Sequence, residues 1–313
     1  MTAFITAALA TQGHANEAAQ PFDAFISGDV GRTNSSLSGT SDNNQTDYNL
    51  RASASYQSPS NFGGQVDAVY STNNYGNNKI TNTDLAGHLF YRTDKYLLGG
   101  FLQYRSPSFT SSLEDPSSNA IVDVSSNLFL SEQLFWGAEG QAYFGDVTVS
   151  GQLAKQDFVN QKDISGQDIS GQNISGQNIG QNIADDGYFA NIKAKYFIND
   201  NWSAQGSFAY NNVNLSNNIN FGSNSIDQKS YGLNTEYRIA DKPISLYAQY
   251  THNTIDFTEA NLDSDQIFAG IKVNFGSISL KTRDRSGANL DPVLQRPTGG
   301  HIFGQILNNR IPP

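Results

Sequence analysis

Few side chains in this sequence offer chemistry, and most of those that do are charged. Seven cations, Arg51, Arg92, Arg105, Lys193, Lys195, Arg238 and Lys272, and five anions, Asp23, Asp29, Asp67, Glu139 and Glu236, fall on the polar side of segments in which every second residue is apolar. Were those polar sides to face a common interior, the charges would decide which ions pass it. Seven against five leaves that interior slightly positive, so a weak preference for anions is expected, with Asp67, Glu139 and Glu236 as the counter-charges. The competing expectation is that the charges pair across a small interior and close it, as buried charges generally must be paired.

Catalysis has little to stand on. The histidines are His14, His88, His252 and His301. His252 falls on the apolar side of its segment, within Tyr250-Thr251-His252-Asn253-Thr254, and no nucleophile, base and orienting group assemble around it. His88, on the polar side beside Phe90, reads as a hydrogen-bonding group. There is no cysteine, and neither a zinc spacing, a phosphate-cradling glycine loop nor a dinucleotide fingerprint occurs. The acidic run Asp256 to Asp265 has carboxylates suited to Ca²⁺ but lacks EF-hand order, and reads as a solvated loop. No enzyme activity, cofactor or metal is therefore expected. An isoelectric point near 4.7 argues against a nucleic-acid partner.

The elements that would position the charged residues are strands. Apolar and polar residues alternate with a period of two from residue 22 onward: Phe22, Ala24, Ile26, Gly28 and Val30 share one face, and Tyr48, Leu50, Ala52, Ala54 and Tyr56 share another. The pattern recurs in Phe62 to Tyr70, Leu85 to Tyr91, Tyr96 to Tyr104, Trp136 to Phe144, Val147 to Leu153 and Tyr188 to Ile198. Trp202 to Tyr210, Tyr231 to Ile239, Ile244 to Tyr250 and Ile267 to Phe275 complete twelve strands. Short turns rich in Gly, Asn, Asp and Pro, at 58–61, 93–95, 145–146, 199–201 and 240–243, alternate with long polar loops around 33–45, 71–82, 106–130, 157–186, 212–227 and 253–265. Short turns at one end and long loops at the other, with aromatic residues near both ends of the apolar faces, are the marks of an up-and-down barrel in a membrane. A soluble two-sheet protein would have no reason to sort its loops this way. No run of about 18 apolar residues offers a transmembrane helix. Only 15% of residues are charged, against roughly 25% in ordinary domains.

On this architecture, residues 21–276 resemble small porin-like members of the Gram-negative outer-membrane β-barrel proteins. Ile271-Lys272-Val273-Asn274-Phe275 looks like their aromatic-ended closing strand, although here 38 residues, 276–313, follow it. The resemblance implies an all-β, transmembrane antiparallel up-and-down barrel of about 12 strands (12–14) in the cell outer membrane. It implies passive diffusion of small hydrophilic solutes or ions, contact with outer-membrane lipid and lipopolysaccharide, and a possible homo-oligomer. The alternative role is a closed structural or adhesion barrel that acts through its loops.

The remaining expectations concern the rest of the chain. Residues 1–15, with apolar Phe4 to Ala10 and small Gly13 and Ala15, read as part of a signal peptide, and 16–276 as the barrel. The loop 157–186 repeats Asp163-Ile164-Ser165-Gly166-Gln167 as 168–172 and 173–177. It reads as a surface loop, with a pore lid or an adhesive tip as functional alternatives. Residues 119–130 either extend a strand or form an extra one. Within 277–313, Ile278 and Leu280 suit a further strand over 277–283, and 284–313 an irregular tail that enters the lumen or hangs below it. The net charge of −10 is assigned to loops and turns, among them Asp42, Asp47, Asp84, Glu114, Asp263 and Asp265.

Overall fold

The computed structural model describes residues 21–37, 43–75, 78–114, 121–125, 132–159, 184–215, 225–257 and 260–293. The signal-peptide segment, most of the repeat loop, Leu128-Phe129-Leu130, His14, His301 and the last twenty residues lie outside them. In chain order the strands are β1 (Phe22–Leu37), β2 (Asn43–Gln57), β3 (Phe62–Tyr75), β4 (Asn78–Arg92), β5 (Tyr96–Glu114), β6 (Ile121–Ser125) and β7 (Glu132–Phe144). They continue as β8 (Val147–Val159), β9 (Ala184–Asn199), β10 (Trp202–Leu215), β11 (Ser225–Arg238), β12 (Ile244–Phe257) and β13 (Ala260–Phe275), followed by one short helix, α1 (Leu280–Ser286).

Every neighbouring pair is antiparallel, and β1 pairs with both β2 and β13. With β4 also paired to β5 and β5 to β7, twelve strands close into a ring. Closure leaves no unpaired strand edge, which is the condition for a sheet to cross lipid. The short strand β6 stands outside the ring, paired to the far end of β5 from Thr110 to Glu114. Residues 119–130 thus contribute an extra strand.

The period of two fixes the faces. Val66, Leu89, Leu98, Leu153 and Leu233 are each more than half exposed on the outer face, among many other apolar side chains. A soluble protein would bury such residues; a contiguous apolar belt of this extent marks a surface meant for an apolar medium. Phe22, Tyr56, Phe62, Tyr96, Phe144 and Trp202 ring the short-turn end, and Tyr48, Tyr70, Trp136, Tyr188, Tyr231 and Tyr250 the other. Eight residues separate Tyr48 from Tyr56; at ~3.3 Å per residue and a tilt of ~40° they span about 20 Å, close to the ~25 Å band of membrane barrels.

The strands run further at the loop end than the alternation alone predicts. Residues placed in loops by composition, such as 33–37, 43–45, 71–75, 106–114 and 212–215, continue the ladder, as do Asp157–Val159 and Ala184–Asp186 at the edges of the repeat loop. Above the lipid both faces of a strand meet water, so the apolar period stops while the backbone hydrogen bonds do not. Asp47 and Asp84 are corrected by the same reasoning. They lie on β2 and β4, 2% and 3% exposed, and face the interior.

Candidate functional site

The interior of the barrel is occupied by the chain itself. At the end of β13, Gly276 adopts φ +117°, and a Cβ there would stand 2.7 Å from the Phe22 carbonyl oxygen, so the turn that sends the chain inward requires glycine. Asp23 on β1 then holds the entering segment at two points. Its carboxylate accepts from the Ser277 N–H at 2.9 Å and from the Ala288 N–H at 2.8 Å, one on each side of α1. Ser279 caps the helix, its hydroxyl accepting from the Thr282 N–H. Gly287 follows the helix at the point where it abuts Asp23, and any Cβ would collide with that carboxylate.

The helix lies across the short-turn end of the lumen. Lys281 reaches Asp146 at 2.7 Å, and Arg285 donates to the carbonyls of Gly145 and Val147. Arg283 is bidentate to Glu236, with Nη1 and Nη2 at 3.0 and 2.8 Å, and also donates to Asn274. From Ala288 to Val293 the segment is extended and polar wall groups take up its backbone. Gln65 brackets Leu290 from both sides, and Gln103 and Arg105 bond Val293. Two apolar pockets in the wall receive its side chains: Leu290 packs with Phe90, Leu97 and Tyr143, and Val293 with Phe101, Phe135 and Phe189. Residues 277–293 are therefore a docked plug. The expected strand over 277–283 is replaced by α1, because Ser279 and Gly287 provide helix ends and the ring offers no free edge.

All ten residues read from the sequence as lining the interior point inward, and most end on a charged or polar partner there. Arg51 bonds Asp67 at 2.7 Å and the plug residue Asp291 at 2.7 Å. Lys193 bonds Asp291 at 2.8 Å, and Lys195 bonds Asp284 at 2.7 Å. Arg105 pairs with Asp84 at 2.6 Å, and Lys272 with Glu236 at 2.9 Å. Arg92 donates to the Gly287 carbonyl and Asn289, and Arg238 to the carbonyls of Lys242 and Ser277. Glu139 accepts from, or shares a proton with, His88 Nδ1 at 2.8 Å; the same ring stacks on Phe101 and sets Nε2 3.4 Å from Asp67. Burial alone would raise the Asp291 carboxyl, but the Lys193 ammonium and the Arg51 guanidinium outweigh it and hold it well below the usual carboxylate range.

Asp47 and Asp84 inside the wall bring its inward anions to seven, which removes the positive excess that was counted from strand parity. The balance is local instead. Arg51, Arg105, Lys193, Lys195, Lys272 and Arg283 border the remaining cavity, against Asp29, Asp84, Glu236 and Asp291. That cavity, about 240 Å³, lies beside the plug, lined mostly by β9 to β12 and reaching residues of β1 to β5 and β13. Its lining is rich in amides and hydroxyls, among them Gln205, Asn234, Gln249 and Thr251. Gln266 and Asn211 also line it, and the two amide atoms of Gln266 and Oδ1 of Asn211 have no hydrogen-bond partner among the described residues.

On the outer face, His252 Nδ1 meets Asp265 at 2.9 Å, and the Thr254 hydroxyl donates to Asp263 at 2.8 Å. These are cross-strand pairs of β12 and β13. Within the acidic run Asp256 to Asp265, at the end of that hairpin, Asp256 pairs with Lys229, Asp263 accepts from Thr254, and Asp265 meets His252 and Tyr250.

What the charge pattern missed is the plug's seat. Phe25, Phe90, Leu97, Phe101, Phe135 and Phe189 all fall on the polar parity and are buried inside. Apolar residues on that side are the available signal that something other than water fills the lumen. Cations lie over several of these rings, Arg51 over Phe25 at 5.0 Å and Arg92 over Phe90 at 4.7 Å.

No family model matches the chain, and no curated protein matches its sequence. Solved structures do resemble it. A FadL homologue from Pseudomonas aeruginosa aligns over 82% of this chain and 90% of its own, with TM-score 0.50 and 11% identity. The fold is that of the Gram-negative outer-membrane β-barrels. The translocator domain of the autotransporter NalP from Neisseria meningitidis covers 87% of this outer-membrane barrel and 94% of itself, with TM-score 0.46 and 12% identity. The Pseudomonas putida toluene transporter TodX aligns over 83% of this chain and 90% of its own, with TM-score 0.46 and 13% identity. Identities this low speak to fold alone, so the role of this outer-membrane barrel has to be argued from its interior.

Proposed function

We propose that the chain is a porin-like channel of the outer membrane that passes small hydrophilic solutes or ions by passive diffusion, with a weak preference for anions. The observation that carries this reading is the polar cavity left beside the plug along β10, β11 and β12. A barrel built only to be solid would fill that space. Instead the wall there carries amides and hydroxyls, and buried amide atoms of Gln266 and Asn211 have no partner among the described residues, a setting suited to water or a polar solute. The small cationic excess around the cavity supports the anion preference. Nothing in the reading requires a chemical step.

The closed-barrel alternative draws on the plug, whose ion pairs and apolar contacts tie it to the wall on several sides. Reconstitution of the full chain in a planar bilayer separates the two. The channel reading expects unitary current whose reversal potential in a KCl gradient lies modestly toward the chloride side; no unitary current in any salt would overturn it.

A further inference from the structure

The ion pairs of the lumen divide into two sets. Arg51 has Asp67, Arg105 has Asp84 and Lys272 has Glu236, so these wall cations hold a wall carboxylate whether or not the plug is present. Lys193 and Lys195 differ. They sit two residues apart on the same face of β9, and among the described residues their carboxylate partners are Asp291 and Asp284, both on the plug. Asp291 also meets Arg51 from the opposite wall. The cluster is partly sheltered, the two lysine side chains being 19% and 23% exposed, and it borders the cavity. Of the basic residues of α1, Lys281 holds Asp146, Arg283 holds Glu236, and Arg285 donates to backbone carbonyls and stands 3.8 Å from Asp284.

From this arrangement we propose that Lys193, Lys195 and Arg51 form a binding site for a carboxylated or otherwise multiply charged small anion, and that Asp291 and Asp284 occupy it in the resting protein as the chain's own stand-in for that ligand. The inference rests on the channel reading for its physiological meaning but not for its test. Two lysines deprived of carboxylates at this depth would be left as uncompensated, partly desolvated charges. An anion arriving from solution restores the pairing, and competition for the site loosens the plug. The backbone bonds of Leu290 and Val293 and their apolar pockets resist that exchange, so a multivalent anion is favoured over chloride.

Two experiments on the full chain test it. In detergent, hydrogen exchange of residues 277–293 is followed with citrate and with KCl at matched ionic strength; citrate is expected to accelerate exchange about tenfold over KCl. In planar bilayers, Asp284→Asn with Asp291→Asn is expected to raise the anion-over-cation permeability ratio at least about threefold, and adding Lys193→Gln with Lys195→Gln to return it to the starting value. A plug indifferent to citrate overturns the inference, as does an unchanged ratio in a variant that inserts and conducts. Absence of current from every chain together with a citrate-sensitive plug removes the channel reading and leaves this one standing.

Discussion

Arg51 on β2 and Lys193 on β9 stand on opposite walls, six strands apart in either direction around the ring, and both end on the Asp291 carboxylate, at 2.7 and 2.8 Å. One side chain of the plug therefore braces the full width of the barrel. Residues distant along the sheet are coupled through it, and the plug is held by charge at its centre as well as by packing at its side.

The brace sets a pH dependence. Asp291 is held below the ordinary carboxylate range in the folded protein, so its contribution to docking is complete above the unfolded value near 3.9 and fades as pH falls below that toward the folded value. Exchange of the plug amides, corrected for intrinsic rates, is expected to stay flat from pH 8 to about 5 and to accelerate below about 4. Loosening that begins near pH 6 would point to a group other than this carboxylate.

Asp23 is expected to matter more than its single charge suggests. It accepts from the backbone on both sides of α1, and hydrogen bonds to a charged acceptor are worth about 1.5–3 kcal/mol each. Asp23→Ala should weaken docking by about 3 kcal/mol, seen as roughly hundredfold faster exchange at Ser277 and Ala288, while the heat-modifiable gel mobility of the barrel persists.

Seating of the plug in a membrane can be read by covalent capture. The Gln65 side chain donates to the Leu290 carbonyl at 2.6 Å and accepts from the Leu290 N–H at 3.1 Å, and the chain has no cysteine of its own. Because these bonds run through the far end of the Gln65 side chain, Gln65→Cys with Leu290→Cys is expected to be joined within one chain by a short bismaleimide in vesicles rather than by a direct disulfide. Persistently free thiols at both positions would mean that the plug is not docked there.

The outer belt predicts a cost of its own. Val66 is 62% exposed midway between Phe62 and Tyr70 on β3. Val66→Arg should destabilise the vesicle-inserted barrel by about 2–4 kcal/mol in urea titrations, whereas Val66→Leu should be near neutral. A negligible loss from the arginine would place this height of the barrel in water.

Much of the wall was legible because a strand between lipid and an interior has to alternate. Phe22, Tyr56 and Trp202 announced the outer face, and the spacing of Lys193 and Lys195 put both on the inner one. The strand ends were less legible, since Asp47 and Asp84 lie where the outer face also meets water or nears it and composition no longer distinguishes strand from loop. The plug was the least legible part. Leu280, Leu290 and Val293 follow no strand or helix period, and their burial is decided by pockets built from strands distant in sequence. Leu97, Phe101 and Phe135, apolar on the polar parity, carried the clue.

The glycine turn at 276 also bears on how such a chain is put together. The seam of the ring joins segments at its two ends, as the Asp23–Ser277 contact across 254 residues illustrates, and this is a long loop for the chain to close. Once it is made, the plug begins beside the seam and has only the short span from Gly276 to Asp291 left to fold back. Loop-closure cost grows with the logarithm of length, so docking adds little closure cost to that of the seam, and the segment enters from the short-turn side without being threaded through a finished pore.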